Sequence, residues 1–205
     1  MFRDREDAGK QLAKKLLKYQ GRDAIVIALP RGGVVVGHEI ARVLQLPLDI
    51  VVTRKIGHPN DPEYAVCAVD ETGTLLCNEV ERAAIDEKWL KEETKRQQTE
   101  AQRRSVVYRE KKKAASLKGS VVIITDDGIA TGLTMRLAIA TVKAQHPKEI
   151  VVAVPVAPPG IAQKIKREVN ELIVLEPPEE FIGVVGAHYE RLDQVEDTEV
   201  INLMA

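Results

Sequence analysis

Two acidic residues, Asp126 and Asp127, close the apolar run VVIIT and stand directly before the small, threonine-bearing turn GIATGLT. Gly128 and Gly132 allow positive φ and close approach. The successive N–H groups of Gly128, Ile129, Ala130, Thr131, Gly132, Leu133 and Thr134 can converge on one anion, and Thr131 and Thr134 add hydroxyl donors. A helix beginning there contributes the positive end of its dipole. The turn reads as a cradle for a phosphate monoester, although the absence of GK[ST] separates it from a Walker A loop. Two carboxylates repel a phosphate, so something must lie between them and it.

Two further strand ends carry anion-binding chemistry. After AIVIAL comes PRGG, in which Gly32 and Gly33 offer backbone N–H groups at a helix start and Arg31 brings a fixed positive charge. After LDIVVT come Arg54 and Lys55, then the Gly- and Pro-rich IGHPNDPE. Two cations at a strand end followed by a mobile loop suit a pyrophosphate beneath a lid. A Gly-rich turn alone is often only a tight turn, but three such junctions on one sheet point to a single site.

The elements that must position these residues follow from the apolar pattern. Residues 24–29, 48–53, 121–125, 149–155 and 171–176 are nearly unbroken Val/Ile-rich stretches, as strands buried on both faces are. Between them GVVVGHEIARVLQ, TGLTMRLAIATVKAQ and PPGIAQKIKREV repeat apolar residues at spacings of three and four and suit crossover helices. The expectation is an α/β fold, a doubly wound, mostly parallel sheet of about five strands flanked by helices. YAVCAVD and GTLLCN, joined by ETG, add a small antiparallel hairpin. Sites in such sheets form at the carboxyl ends of strands, where the three junctions lie.

A chain of 205 residues with 44% hydrophobic residues suits one domain over 1–205. A formal charge of -1 gives no strong nucleic-acid signal and no affinity for an anionic membrane surface, so anion binding must be local. Cys67 and Cys77 lack CxxC spacing and read as buried free thiols of a reducing cytosol. MFRDREDAGK is not a secretory signal, and no apolar run reaches the roughly 20 residues of a membrane span. A cytoplasmic protein is expected. Residues 79–117 interrupt the alternation with a charge-rich long helix or broken pair. Asn78 is its candidate N-cap, Glu79 and Glu81 lie in its first turn, Lys111 to Lys113 near its end, and Trp89 and Leu90 on a thin apolar stripe. It is either an arm that dimerises or covers a site, giving a homodimer in the first case, or a solvated helix across the sheet.

The apolar strand, acidic pair and GIATGLT resemble the phosphoribosyl diphosphate signature of the type I phosphoribosyltransferases, and LPRGG resembles that family's pyrophosphate loop. Arg54-Lys55 with the following loop is similar to its adenine-specific branch. The order PRGGVVVG, RKIGHPNDPEYAVCAV, DDGIATGLTM is similar to a group of prokaryotic phosphoribosyltransferase-like proteins. The likeness covers residues 24–156, the core, with 177–205 as a C-terminal hood and tail. It implies a glycosyltransferase of nucleotide metabolism that uses phosphoribosyl diphosphate and a nitrogen base. Asp126 and Asp127 would hold the ribose hydroxyls, directly or through magnesium carried mainly by the phosphoribosyl diphosphate. Residues 128–134 would take the 5-phosphate, and Arg31, Gly32, Gly33, Arg54 and Lys55 the diphosphate, Lys55 also counting with the acids as catalytic.

The acceptor is less legible. In the hypoxanthine-guanine branch an aspartate precedes the Thr-Gly of the signature; here that position is Ala130, which disfavours the branch. An acid or base from the loop would be Glu63, with His58 and Tyr64 as weaker candidates. Phe181 or Tyr189 of the hood either stacks on a base or anchors the core. His38, His146 and His188 lack metal-ligand spacing, and Asp197 reads as an N-cap for TEVINLM. The alternatives to a transferase are a catalytically silent nucleotide or phosphoribosyl diphosphate sensor on the same fold and, more weakly, a hydrolase of phosphoribosyl compounds. No DNA-reading segment accompanies the core, which weakens a repressor.

Overall fold

The computed structural model describes residues 1–110 and 112–205, with side chains throughout except those of Glu63 and Pro178. The apolar runs form the expected strands. β1 (Ala24–Ala28), β2 (Leu48–Ile50), β6 (Val121–Thr125), β7 (Glu149–Val154) and β8 (Glu171–Val174) make one parallel sheet in the order β2-β1-β6-β7-β8. β1 and β6 are buried at every residue because helices cover both faces. Ile25, Ile27, Val122, Ile124 and Val152 pack on one face with Met135, Ala138 and Ile139 of α5 (Leu133–Lys143) and Ala162 and Ile165 of α6 (Pro159–Lys166). Val26, Val121, Ile123 and Val151 pack on the other with Val36 and Ile40 of α2 (Gly32–Leu44) and Leu12 and Leu16 at α1 (Arg5–Lys15). Chain direction across the sheet reverses between β1 and β6, the place where open α/β sheets hold ligands.

The sequence reading needs correction at several elements. The helix α1 was not expected; Ala8, Leu12, Ala13 and Leu16 form its buried stripe within a charged segment. Residues 48–53 are not one strand, because the chain leaves the sheet after Ile50 and begins β3 (Thr53–His58). The stretch expected as a mobile loop is the turn of an antiparallel hairpin between β3 and β4 (Asp61–Asp70), with β5 (Leu75–Cys77) completing a second, three-stranded sheet. Cys67 and Cys77 are not free thiols. They stand opposite each other in the β4–β5 ladder, Cα atoms 4.0 Å apart, and form a disulfide; the register that joins them cannot be read from their spacing.

The charge-rich segment is a broken pair, α3 (Glu79–Arg82) and α4 (Glu87–Tyr108), with Asn78 capping α3 as expected. Lys111 lies outside the described residues. Leu90 and Trp89 of α4 join Ile85, Ile56, Val66 and the disulfide in a small core under the second sheet. The C-terminal helix α7 (Asp197–Met204) begins at Asp197 instead of being capped by it: the cap is Glu196, and the Asp197 carboxylate accepts from Tyr108 and Arg31. Among the described residues no helix is long and apolar enough to cross a membrane.

Candidate functional site

A cavity of about 560 Å³ opens at the carboxyl ends of β1 and β6. One wall is Asp126, Asp127 and the turn that follows, with Gly128, Ile129, Ala130, Thr131, Gly132 and Thr134 all lining it. Leu133 does not: it is buried against Leu137 and Ala68. The N–H of Ile129 is used by the Val156 carbonyl at 2.9 Å, which ties the turn to the end of β7. Gly132 is the N-cap of α5, at φ 79°, and no side chain caps the first turn of that helix. Arg54 and Lys55 from β3 line the same cavity, as do Gly57 and Pro62 of the neighbouring hairpin. Three of the sequence-derived groups, the acids, the phosphate turn and the Arg-Lys pair, thus meet in one cavity.

The acidic pair is held closely. Asp126 accepts from the N–H of Asp127 at 2.8 Å, the Asp127 carboxylate accepts from Nε of Arg5 at 2.7 Å, and the hydroxyl of Tyr189 donates to the Asp127 carbonyl at 2.7 Å. Burial, then the charge of Asp127, holds the Asp126 carboxyl well above the usual carboxylate range, and Lys55 opposes this only in part. Gly32 and Gly33 explain how the helix start of α2 comes so near: a Cβ on Gly32 would lie 2.1 Å from Oδ2 of Asp127, and one on Gly33 2.9 Å from Oδ1 of Asp126. Both glycines therefore sit against the acids; Leu29 and Pro30 of the same loop, not the glycines, line the cavity. Arg31 follows a cis peptide at Pro30 and points to α7, Nη1 lying 3.4 Å from Asp197 and 3.9 Å from Glu196.

Of the remaining candidates, none whose side chain is described lines the cavity. Glu63 lies on β4 and its side chain is outside the described residues. His58 accepts from the N–H of Asn60 in the hairpin turn, and Tyr64 donates to Glu81 at 3.0 Å on the surface. Phe181 stacks on His188 at 5.2 Å and Tyr189 packs on Phe2 at 5.4 Å, so the hood aromatics act as anchors. His188 is buried and pairs with Glu176; His38 meets the Leu203 carbonyl, and His146 is exposed. Among the described residues no three or more of His, Cys, Asp and Glu gather as a metal cluster.

Two contributions were missed. Arg5 comes from the unexpected helix α1, and a contact across 122 residues leaves no local signal. From α4 come Glu93, Arg96, Gln97 and Arg104. The nearest sequence signal was the polar spacing 93, 97, 104 along one helical face, which a solvated helix would share. Of the two readings of that segment, the one that covers a site describes the observed place of α4.

Residues 3–190 match the family model described as a phosphoribosyl transferase domain, and the chain belongs to that family. It is 37% identical over 203 residues to a Mycobacterium tuberculosis H37Rv protein named provisionally as a phosphoribosyl transferase, covering 98% of this chain and 46% of that protein. The chain thus spans about half the length of the curated relatives it matches. The crystal structure of TT1426 from Thermus thermophilus superposes with a TM-score of 0.82 at 39% identity, covering 99% of this chain and 97% of that one. The parallel sheet flanked by helices is the type I phosphoribosyltransferase fold.

Proposed function

We propose that this domain transfers the 5-phosphoribosyl group of phosphoribosyl diphosphate to a nitrogen acceptor with release of pyrophosphate, or runs the reverse reaction. The observation that carries the reading is the one cavity lined together by the Asp126-Asp127 pair, residues 128–132 and 134 of the turn, and Arg54-Lys55. The turn suits the 5-phosphate, the acids the ribose hydroxyls and the cations the diphosphate. The C1–O bond breaks with its electron pair leaving on the diphosphate, the acceptor nitrogen bonds C1, and the acceptor proton passes to a base or to water. Positive charge grows on the ring as that bond breaks, so carboxylates beneath it favour the transition state over the substrate.

Magnesium fits the same pair. Asp126 and Asp127 are hard oxygen donors, and their crowding at a buried strand end is the kind of charge excess a divalent cation relieves. Magnesium bound with the substrate would neutralise charge on the departing diphosphate. Ala130 puts no acid directly before the Thr131-Gly132 step of the turn, which favours an acceptor other than guanine or hypoxanthine. A second reading, a sensor that binds without turnover, is favoured by one observation: Asp127 and Arg31 are both engaged by protein partners.

The test incubates the protein with phosphoribosyl diphosphate, magnesium and a panel of nitrogen bases, following pyrophosphate release and, by calorimetry, binding. Release with at least one base, lost together with binding in the Asp126→Asn/Asp127→Asn variant, supports the transferase. Binding without release across the panel would leave the sensor, and unchanged binding by the double variant would remove the assignment of the acids.

A further inference from the structure

Of the two arginines that the sequence aims at the diphosphate, Arg54 lines the cavity and Arg31, which points to Asp197 and Glu196, does not. Arg104 of α4 does. Glu93, Gln97 and Arg104 repeat at spacings of four and seven, which puts them on one face of the helix, and all three border the cavity. Gln97 accepts from Nε of Arg54 at 3.0 Å, joining that face to β3. Nε of Arg104 donates to Glu100 at 2.7 Å, and among the described residues its two terminal nitrogens have no protein acceptor. With a quarter of its side chain exposed, Arg104 is held between protein and cavity.

The end of α4 is fastened, so Arg104 is not a loose surface arginine. One turn on, Tyr108 donates to Asp197 at 2.7 Å, and Arg109 donates to Asp49 at 2.8 Å and to the Ile50 carbonyl at 2.6 Å. The Tyr108 bond fixes the end of the helix to α7, and the Arg109 bonds fix it to the carboxyl end of β2. Arg54 lies near enough that Arg104, after burial, lowers its affinity for a proton. Guanidinium groups held near one another at the lining of a cavity repel, and an anion bound beside both relieves that repulsion. The 5-phosphate has its own cradle at 128–134; the group left to bind is the other charged end of the substrate.

Resting on the proposed transferase reading, we infer that Arg104, with Arg54 near it, holds the diphosphate, in the place the sequence gives to Arg31. A planar guanidinium with free terminal N–H groups suits the bidentate geometry of phosphate oxygens.

Calorimetry on the full chain with magnesium, using phosphoribosyl diphosphate, pyrophosphate and ribose 5-phosphate as separate probes, tests this. Arg104→Gln should weaken the two diphosphate ligands by about tenfold or more, as loss of a charged hydrogen bond does, and leave ribose 5-phosphate within about twofold; Arg104→Lys should fall between. The control is Arg103→Gln, an equal charge change at a residue whose side chain is 54% exposed and pairs with the same Glu100; it should leave all three ligands unaffected. Wild-type affinity for the diphosphate ligands in Arg104→Gln overturns the inference, as does equal weakening of all three ligands. A native protein that binds phosphoribosyl diphosphate while the variant loses nothing sinks this assignment alone. One that binds neither phosphoribosyl diphosphate nor ribose 5-phosphate sinks the transferase reading with it.

Discussion

The guanidinium of Arg5 closes on the carboxylate of Asp127, Nε to Oδ2 at 2.7 Å, and joins the first turn of α1 to the end of β6. Its Nη1 also donates to the Asp193 carbonyl at 2.6 Å, so the arginine is held at both ends with only 14% of its side chain exposed. Asp127 thereby has one carboxylate oxygen, its N–H and its carbonyl all fixed by protein groups. A helix 122 residues away in the chain thus sets the aim of a carboxylate that lines the cavity.

Arg5→Met should leave a folded protein whose Asp127 is free to turn. By analogy with residues that orient a ligand-binding carboxylate, affinity for phosphoribosyl diphosphate should fall about 10- to 100-fold. Arg5→Lys should recover part of the loss, because the charge remains while the fork geometry does not. Steady-state kinetics and calorimetry on both variants check this. Equal affinity in Arg5→Met would show that Asp127 needs no such support.

The phosphate turn is better tested away from its second glycine. The sequence suggests that a side chain at Gly132 would intrude on a bound phosphate, but the structure gives another reason for glycine. Its φ is 79°, and a Cβ there would lie 2.5 Å from Cγ2 of Ile161. Gly132→Val should therefore lower stability through backbone strain and the clash with α6, by about 1–3 kcal/mol, and confuse folding with binding. Thr131→Val removes a hydroxyl that is exposed at the cavity. It should weaken ribose 5-phosphate binding about 3- to 10-fold, the size of one hydrogen bond, with an unchanged melting temperature. A Thr131→Val protein that binds ribose 5-phosphate as tightly as the native one would take that hydroxyl out of the cradle.

Which parts were legible in the sequence follows from how local their causes are. β1, β6 and β7 are buried on both faces, and that burial writes an unbroken Val/Ile run. The turn after Asp126-Asp127 was equally visible, because glycines, threonines and a helix start are adjacent in the chain. α1 was hidden by its charges: Ala8, Leu12, Ala13 and Leu16 are spaced for a helix, but Arg5, Glu6, Asp7 and Lys10 surround them. The break at Val51-Val52 was invisible because both residues stay buried while the chain changes sheets. Pairings such as Cys67–Cys77, Arg5–Asp127 and Arg31–Asp197 depend on tertiary register, which no spacing within the chain encodes.

The disulfide gives a direct chemical check. Cys67 and Cys77 close a loop with a sequence separation of 10, and Cys67 is fully buried in the small core under α4. Protein purified without reductant and then denatured should show no free thiol. Reduction should cost about 2–3 kcal/mol of stability by the chain-entropy account, measured as a lower urea midpoint. Two thiols titrating in the unreduced, denatured chain would restore the reading of Cys67 and Cys77 as free.

A buried carboxyl outside the cavity should set part of the pH dependence of folding. Glu71 follows β4, its side chain is 15% exposed, and its carboxylate accepts from the N–H of Val52 at 2.9 Å. Burial first, with Asp70 adding to it, pushes its pKa up from 4.5 to about 7, against the pull of Arg109 and the Val52 N–H. A carboxyl whose pKa is higher folded than unfolded binds its proton more tightly in the native state. Its contribution is therefore most favourable below about pH 4.5 and is lost as pH rises toward 7. The loss is at most about 3 kcal/mol, the whole shift converted at 1.36 kcal/mol per unit. Glu71→Gln keeps an oxygen for the Val52 N–H and removes the charge, while Arg109 retains Asp49. The variant should match the native protein near pH 4.5, exceed it in stability at pH 8, and show a flatter profile between. Urea unfolding of both proteins at pH 4.5, 6 and 8 measures this, and parallel profiles across that range would mean that Glu71 is already ionised in the folded protein at low pH.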